Sequence, residues 1–227
     1  MTAPPIAVFD LDGTLAETAG DLIGTLNVLL TREGLAELPL SQARDLIGAG
    51  AKALIRRGFE AEGRPLSEAD HDRLFDDFLV HYGAHLVDTS HLYPGVVEAL
   101  DALEASGFRL AVCTNKYERH SIELLRLLGV GDRFAAICGR DTFPQSKPDP
   151  RHLTGTIARA GGDPARAVMV GDSRTDIDTA KAAGIPVVAV TFGYTDIPVR
   201  DLGPDRVIDH FSQLPDAIAA LVPRAAA

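Results

Sequence analysis

The chain holds 227 residues, 46% of them hydrophobic and 24% charged, which supports one folded core with a modest insertion and excludes both a disordered polymer and a string of domains. Its 22 basic and 32 acidic residues give a net charge of −10 without any cluster of Lys or Arg, so nucleic acid is excluded as a partner. No uncharged apolar stretch reaches the roughly 18 residues of a membrane span, and the first ten residues lack the charged start of a signal peptide, so a soluble cytoplasmic protein with no membrane partner is expected.

In chain order, Ile6–Phe9 is an apolar run ending in Asp10, with Gly13 close behind, which predicts a buried strand that stops and turns. From about Glu17 to about Val87 such runs disappear and amphipathic helical patterns succeed one another. Residues 17–87 are therefore expected to form a helical cap, or lid, inserted into an α/β core of residues 1–16 and 88–227. Ser41 is expected to cap one of the cap helices. Ser67-Glu68-Ala69-Asp70 has the spacing of a capping box for a helix running through Leu74, Phe78 and Tyr82, with Asp in place of the usual Glu or Gln. His81 and His85 have the spacing of a helical metal pair but no third ligand, and read as a polar helix face; Phe75, Phe78 and Leu79 read as cap packing.

Tyr93-Pro94-Gly95 marks the return to the core. Helical patterns at 96–106, 118–128, 152–160 and 175–183 then alternate with apolar runs at 108–113, 134–138, 167–170 and 186–190. That alternation predicts right-handed crossovers and a parallel α/β sheet covered on both faces, with ligands at the carboxyl ends of its strands. Cys113 and Cys138 fall inside these runs and are expected to be buried, reduced thiols.

An acidic protein that binds an anion must supply positive charge locally, from a lysine, a metal ion or backbone N–H groups. Asp10-Leu11-Asp12-Gly13-Thr14 sets two carboxylates two residues apart at a strand end, on one side of an extended backbone. Gly171-Asp172-Ser173-Arg174-Thr175-Asp176 brings a second acidic pair after another apolar run. Where the two strands are neighbours, four carboxylates converge, and a hard divalent cation such as Mg2+ relieves their repulsion. Thr114-Asn115 offers a hydroxyl and an amide to phosphate oxygens, and Lys147, in a proline-stiffened loop, offers a point charge. Together these make a phosphoryl-transfer site in which an aspartate attacks phosphorus.

The four motifs, Asp10-Leu11-Asp12-Gly13-Thr14, Thr114-Asn115, Lys147-Pro148 and Gly171-Asp172-Ser173-x-x-Asp176, resemble the signature motifs of the haloacid-dehalogenase-like hydrolase superfamily. The resemblance implies a Rossmann-like core with an inserted α-helical cap. It also implies Asp10 as nucleophile, Asp12 as general acid and base, and Thr114, Asn115 and Lys147 as phosphate binders. Asp10, Asp12 through its backbone carbonyl, and Asp172 would hold magnesium, with Asp176 in support. The second aspartate, Asp12, is a feature of the superfamily's phosphatases and phosphomutases, whereas its dehalogenases lack it. Glu17 departs from the family pattern, which commonly carries Asp there.

A finer resemblance, through Leu92-Tyr93-Pro94-Gly95-Val96, Cys113-Thr114-Asn115-Lys116, Gly139-Arg140-Asp141-Thr142 and the cap stretch 47–54, points to the superfamily's bacterial phosphoglycolate phosphatase group. It implies a small anionic phosphomonoester as substrate, 2-phosphoglycolate foremost. Pyrophosphate, a sugar phosphate and a phosphomutase reaction are the alternatives, with a phospho-accepting signalling module more distant. Gly48 and Gly50 would let the cap backbone approach the substrate, with Lys52, Arg56 or Arg57 facing its carboxylate. Monomer and homodimer are both left open.

Overall fold

Six strands lie side by side in one parallel sheet: β1 (Ile6–Phe9), β4 (Arg109–Cys113), β5 (Ala136–Cys138), β6 (Ala167–Gly171), β7 (Val187–Val190) and β8 (Arg206–Ile208), in the spatial order β5-β4-β1-β6-β7-β8. The computed structural model describes residues 3–43, 46–48 and 50–222. Both sheet faces are covered, which is why the strands read as unbroken apolar runs. Ala7 and Phe9 pack into one hydrophobic cluster, while Ile6 and Val8 pack into another on the opposite face. Among the described residues no helix is long and apolar enough to cross a membrane.

The register decides where chemistry gathers. Phe9 pairs with Val112 of β4 and with Val170 of β6. The residues just past these three strands, Asp10, Thr114 and Asp172, therefore emerge side by side at one sheet edge.

The core crossovers α5 (Val96–Ala105), α6 (Glu118–Leu127), α7 (Pro150–Ala160) and α8 (Arg174–Ala183) follow the sequence periodicity, and α9 (Leu214–Ala219) is the last helix among the described residues. The cap region carries α1 (Ala19–Arg32), α2 (Leu40–Ala43), α3 (Ala51–Ala61) and α4 (Glu68–Ala84). Ser67 caps α4 as its spacing predicts, its Oγ accepting from Asp70 N at 3.1 Å. Ser41 does not cap a helix: it is the second residue of the four-residue α2, because that helix already starts at Leu40. His81 and His85 stack at 4.4 Å, and His85 pairs with Asp88 at 2.7 Å. Residue 49, in the expected glycine loop, lies outside the described residues.

The two connections of the cap region run antiparallel as a ribbon of two short strands, β2 (Ala16–Glu17) and β3 (His91–Leu92). Asp21, buried at the start of α1, ties them together. Its carboxylate accepts from the N–H and hydroxyl of Thr89, at 2.9 and 2.6 Å, and from those of Ser90, at 2.9 and 2.6 Å. Asp21→Ala would strand several donors, and is expected to cost roughly 2–4 kcal/mol of stability in a denaturant melt. A loss below about 0.5 kcal/mol would mean that water replaces the carboxylate freely.

Candidate active site

The loop after β1 is shaped around Asp172. Gly13 has φ +82, and a Cβ there would sit 2.5 Å from Asp172 Oδ2; one on Gly193 would also strike the Asp172 side chain. Only glycine admits this backbone and this approach. Asp172 is held by Thr14 Oγ1, which donates to its Oδ1 at 2.8 Å, and by Tyr194 N, which donates to Oδ2 at 2.7 Å.

Asp10, Asp172 and Asp176 each bring a carboxylate oxygen within 4.8 Å of the others, the one grouping among the described residues with the makeup of a metal site. Burial raises the Asp172 pKa well above the usual carboxylate range, and the charges of Asp176 and Asp10 push it further. Burial likewise lifts Asp10 to about 6, against the pull of Lys147. Three crowded acids, with the charges of Asp10 and Asp172 disfavoured, suit a hard divalent cation. Asp10 Oδ1 fits the same need, because it is buried and accepts no properly directed hydrogen bond, although Lys147 Nζ lies 2.9 Å away.

Asp176 is engaged differently. Its Oδ2 accepts from the backbone N–H groups of Asp172 and Ser173 and from Ser173 Oγ, while its Oδ1 accepts from Lys147 Nζ at 2.6 Å. This capping box at the start of α8 doubles as the bracket that aims Lys147. Burial opposes the Lys147 charge, yet the carboxylates of Asp10 and Asp176 outweigh it and hold the pKa above its ordinary value. A fixed ammonium therefore faces Asp10, as an anion-binding site in an acidic protein requires.

A cavity of about 50 Å3 opens over this edge, lined by Asp10, Asp12, Thr114 and Asn115 from the core and by Gly48 and Gly50 from the cap region. Asn115 Nδ2 donates to Lys147 O at 3.1 Å, whereas its buried Oδ1 has no hydrogen-bond partner. Gly48 and Gly50 both have positive φ, at 110° and 87°. Lys52 and Arg57 are not brought to the cavity: Lys52 pairs with Asp72 at 2.6 Å, and Arg57 donates to Leu46 O at 3.3 Å beside a separate cleft. Arg56 pairs with Glu68 at 3.2 Å.

The sequence assigns no role to two participants, although one of them, Lys116, ends the motif Cys113-Thr114-Asn115-Lys116. Lys116 Nζ donates to both oxygens of Asp12, at 2.8 and 3.1 Å, and to Tyr82 Oη on α4 at 2.7 Å. Thr18 Oγ1 also donates to Asp12 Oδ1, at 2.7 Å. The second participant is Tyr194, whose hydroxyl accepts from Thr18 N and Ala19 N and donates to Glu17 Oε1 at 2.5 Å. Tyr93 Oη reaches Glu17 Oε2 at 3.1 Å. The longer acid at position 17 thus spans two tyrosines at the cap junction.

The haloacid dehalogenase-like hydrolase family model matches residues 7–190. A phosphoglycolate phosphatase of Mesorhizobium japonicum is 53% identical over 98% of both chains, and one of Agrobacterium fabrum is 49% identical over 94% of this chain and 92% of its own. Among solved structures, a predicted phosphoglycolate phosphatase from Haemophilus somnus superposes with a TM-score of 0.87, at 33% identity over 95% of this chain and 98% of that one.

Proposed function

Because the chain belongs to the haloacid dehalogenase-like hydrolase family, we propose that it hydrolyses 2-phosphoglycolate to glycolate and phosphate through an aspartyl-phosphate on Asp10. The observation that carries this is the convergence of Asp10, Asp172 and Asp176, with the Lys147 ammonium set against Asp10 and Asp176, in a chain so close to phosphoglycolate phosphatases along nearly its whole length.

The Asp10 carboxylate attacks phosphorus, forming a new O–P bond as the ester P–O bond breaks. Asp12 gives its proton to the departing alkoxide, then withdraws one from the water that cleaves the Asp10–phosphorus bond. Lys147 offsets charge on the phosphoryl oxygens, and the Thr114 hydroxyl and Asn115 amide donate hydrogen bonds to them. Asp10, the backbone carbonyl of Asp12 and Asp172 would hold Mg2+, and Asp176 supports them by fixing Lys147 and the loop. The cation, when bound, supplies Lewis-acid stabilisation of the charge that develops on the transferring group. Residues 17–87 act as the cap that screens Asp10 from bulk water, on a core of residues 1–16 and 88–227. The setting is cytoplasmic: Cys113 and Cys138, register partners on neighbouring strands, are both free thiols.

The test is phosphate release from 2-phosphoglycolate, β-glucose 1-phosphate and pyrophosphate, each with Mg2+ and with excess chelator. The expected result is the highest kcat/KM on 2-phosphoglycolate, falling more than about tenfold with chelator and returning when Mg2+ is restored. Glucose 6-phosphate in place of free phosphate would identify a mutase instead. Undiminished turnover in chelator would remove the cation from the reading.

A further inference from the structure

We propose that Lys116 is the specificity-determining residue of this site, taking the carboxylate of a phosphomonoester that carries one close to its ester oxygen. The proposal rests on the phosphatase reading above and names what that reading leaves open, the group that recognises the non-phosphate end of the substrate.

The cavity wall is mostly apolar away from the sheet edge, with Leu22, Ile47, Leu54 and Phe78 on it. Among its described lining residues Lys116 is the one charged cation; His120 lies there too, but burial depresses its pKa to about 4, so it is neutral at physiological pH. Lys52, Arg56 and Arg57 are engaged by Asp72, Glu68 and Leu46 O away from the cavity. A carboxylate entering an apolar cavity must meet a cation or forfeit its hydration without return.

Lys116 is prepared for that role. Its side chain is 5% exposed, and it sits 4.4 Å from the centre of the Tyr82 ring. The ammonium directs its three protons at the two oxygens of Asp12 and at the neutral Tyr82 hydroxyl, and the bond to that hydroxyl is the one a substrate carboxylate can replace. Position then sets the substrate's shape. Lys116 lies two residues past Thr114, whose Oγ1 accepts from Lys116 N at 3.2 Å. Its Nζ is one hydrogen bond from Asp12, the acid that serves the leaving oxygen. An anion sharing this ammonium therefore lies near the ester oxygen, where a carboxylate one carbon away falls and a distal carboxylate does not.

The experiment compares kcat/KM for 2-phosphoglycolate, ethyl phosphate and the phosphate ester of 3-hydroxypropionate on the wild type, Lys116→Met and Lys116→Arg, all with Mg2+. Loss of the Asp12 contact lowers the rate on every substrate alike, so the readout is the ratio between substrates. The wild type is expected to favour 2-phosphoglycolate over ethyl phosphate by roughly 30-fold or more, and Lys116→Met to bring that ratio within about threefold, chiefly through KM. A ratio preserved in Lys116→Met, with all rates falling together, overturns the proposal while leaving the phosphatase reading intact. No carboxylate preference in the wild type overturns both the proposal and the choice of 2-phosphoglycolate. Should Lys116→Met lack a cooperative melt, Lys116→Arg, which retains the ion pair, decides. Its wider fork presents the charge at a different distance from the ester oxygen and is expected to change the ratio between 2-phosphoglycolate and the 3-hydroxypropionate ester at least about fivefold, and an unchanged ratio overturns the proposal.

Discussion

Asp10→Asn is expected to lower kcat on 2-phosphoglycolate by at least roughly 10^4-fold while the protein melts cooperatively near the wild-type temperature. An amide oxygen is not a nucleophile toward phosphorus, and no neighbouring carboxylate is placed to substitute. Asp172 is anchored by Thr14 and Tyr194, Asp176 by Lys147 and Ser173, and Asp12 by Lys116 and Thr18. The fold tolerates the change because what fixes residue 10 is backbone: Asp10 N donates to Val170 O at 2.9 Å, and Phe9 before it is buried on both sides by paired strands. Phosphate release in a preparation free of wild-type protein gives the answer, together with mass spectrometry of acid-quenched wild type, in which the Asp10 peptide carries phosphate. Turnover above about 1% of wild type, or phosphate on a different peptide, sinks the nucleophile assignment.

The position of Asp10 was legible from the sequence because fully buried parallel strands are plain apolar runs and their ends carry the chemistry. The same logic exposed β4, β6 and β7, and the expected helices differ from the observed ones by a residue or two. β8 stayed hidden because Arg206-Val207-Ile208 is three residues long, starts with a charge and sits between Asp205 and Asp209. The ribbon of β2 and β3 is shorter still, and its pairing joins residues some 75 apart, a long-range contact that no local pattern encodes. Lys116 was visible only as the neighbour of Thr114-Asn115. Its partners, Asp12 and Tyr82, come from different parts of the chain, and Tyr82 read simply as one apolar position along α4. Positive residues in the cap sequence drew attention instead to Lys52 and Arg57. Their acceptors, Asp72 and a backbone carbonyl, are determined by how the cap helices pack.

Asp172→Asn is expected to do two opposite things, and the contrast isolates what the carboxylate cluster costs. Without a cation, the native state of the wild type holds Asp10, Asp172 and Asp176 together against burial and mutual repulsion, with Lys147 paired to Asp10 and Asp176 and not to Asp172. Burial lifts Asp10 from the ordinary carboxyl value of 3.8 to about 6 in the native state. Between those pH values the native state binds more protons than the unfolded chain, so stability falls as pH rises through this window, by about 3 kcal/mol for a shift of about two pH units. Asp172 adds to the fall in the same direction. The buried imidazoles of His120 and His152, both depressed to about 4, act in the opposite sense over the same range, so the carboxylates' share is read as the difference between chelated wild type and Asp172→Asn.

Neutralising position 172 removes one source of the repulsion and keeps the local bonds, since an asparagine can accept from Tyr194 N and donate to Thr14 Oγ1. In chelator at pH 8 Asp172→Asn should melt several degrees above wild type, and the gap should narrow toward pH 4, where the native carboxyl of the wild type is protonated. With saturating Mg2+ the order reverses, because the variant has lost a hard oxygen ligand and gains less from binding, and its kcat/KM falls by roughly 10^2-fold or more. Thermal melts from pH 4 to pH 8, with and without Mg2+, read both effects. A variant that melts below wild type in chelator at pH 8 would show that the three acids are not in conflict there, and the electrostatic case for a cation at this edge would fall with it.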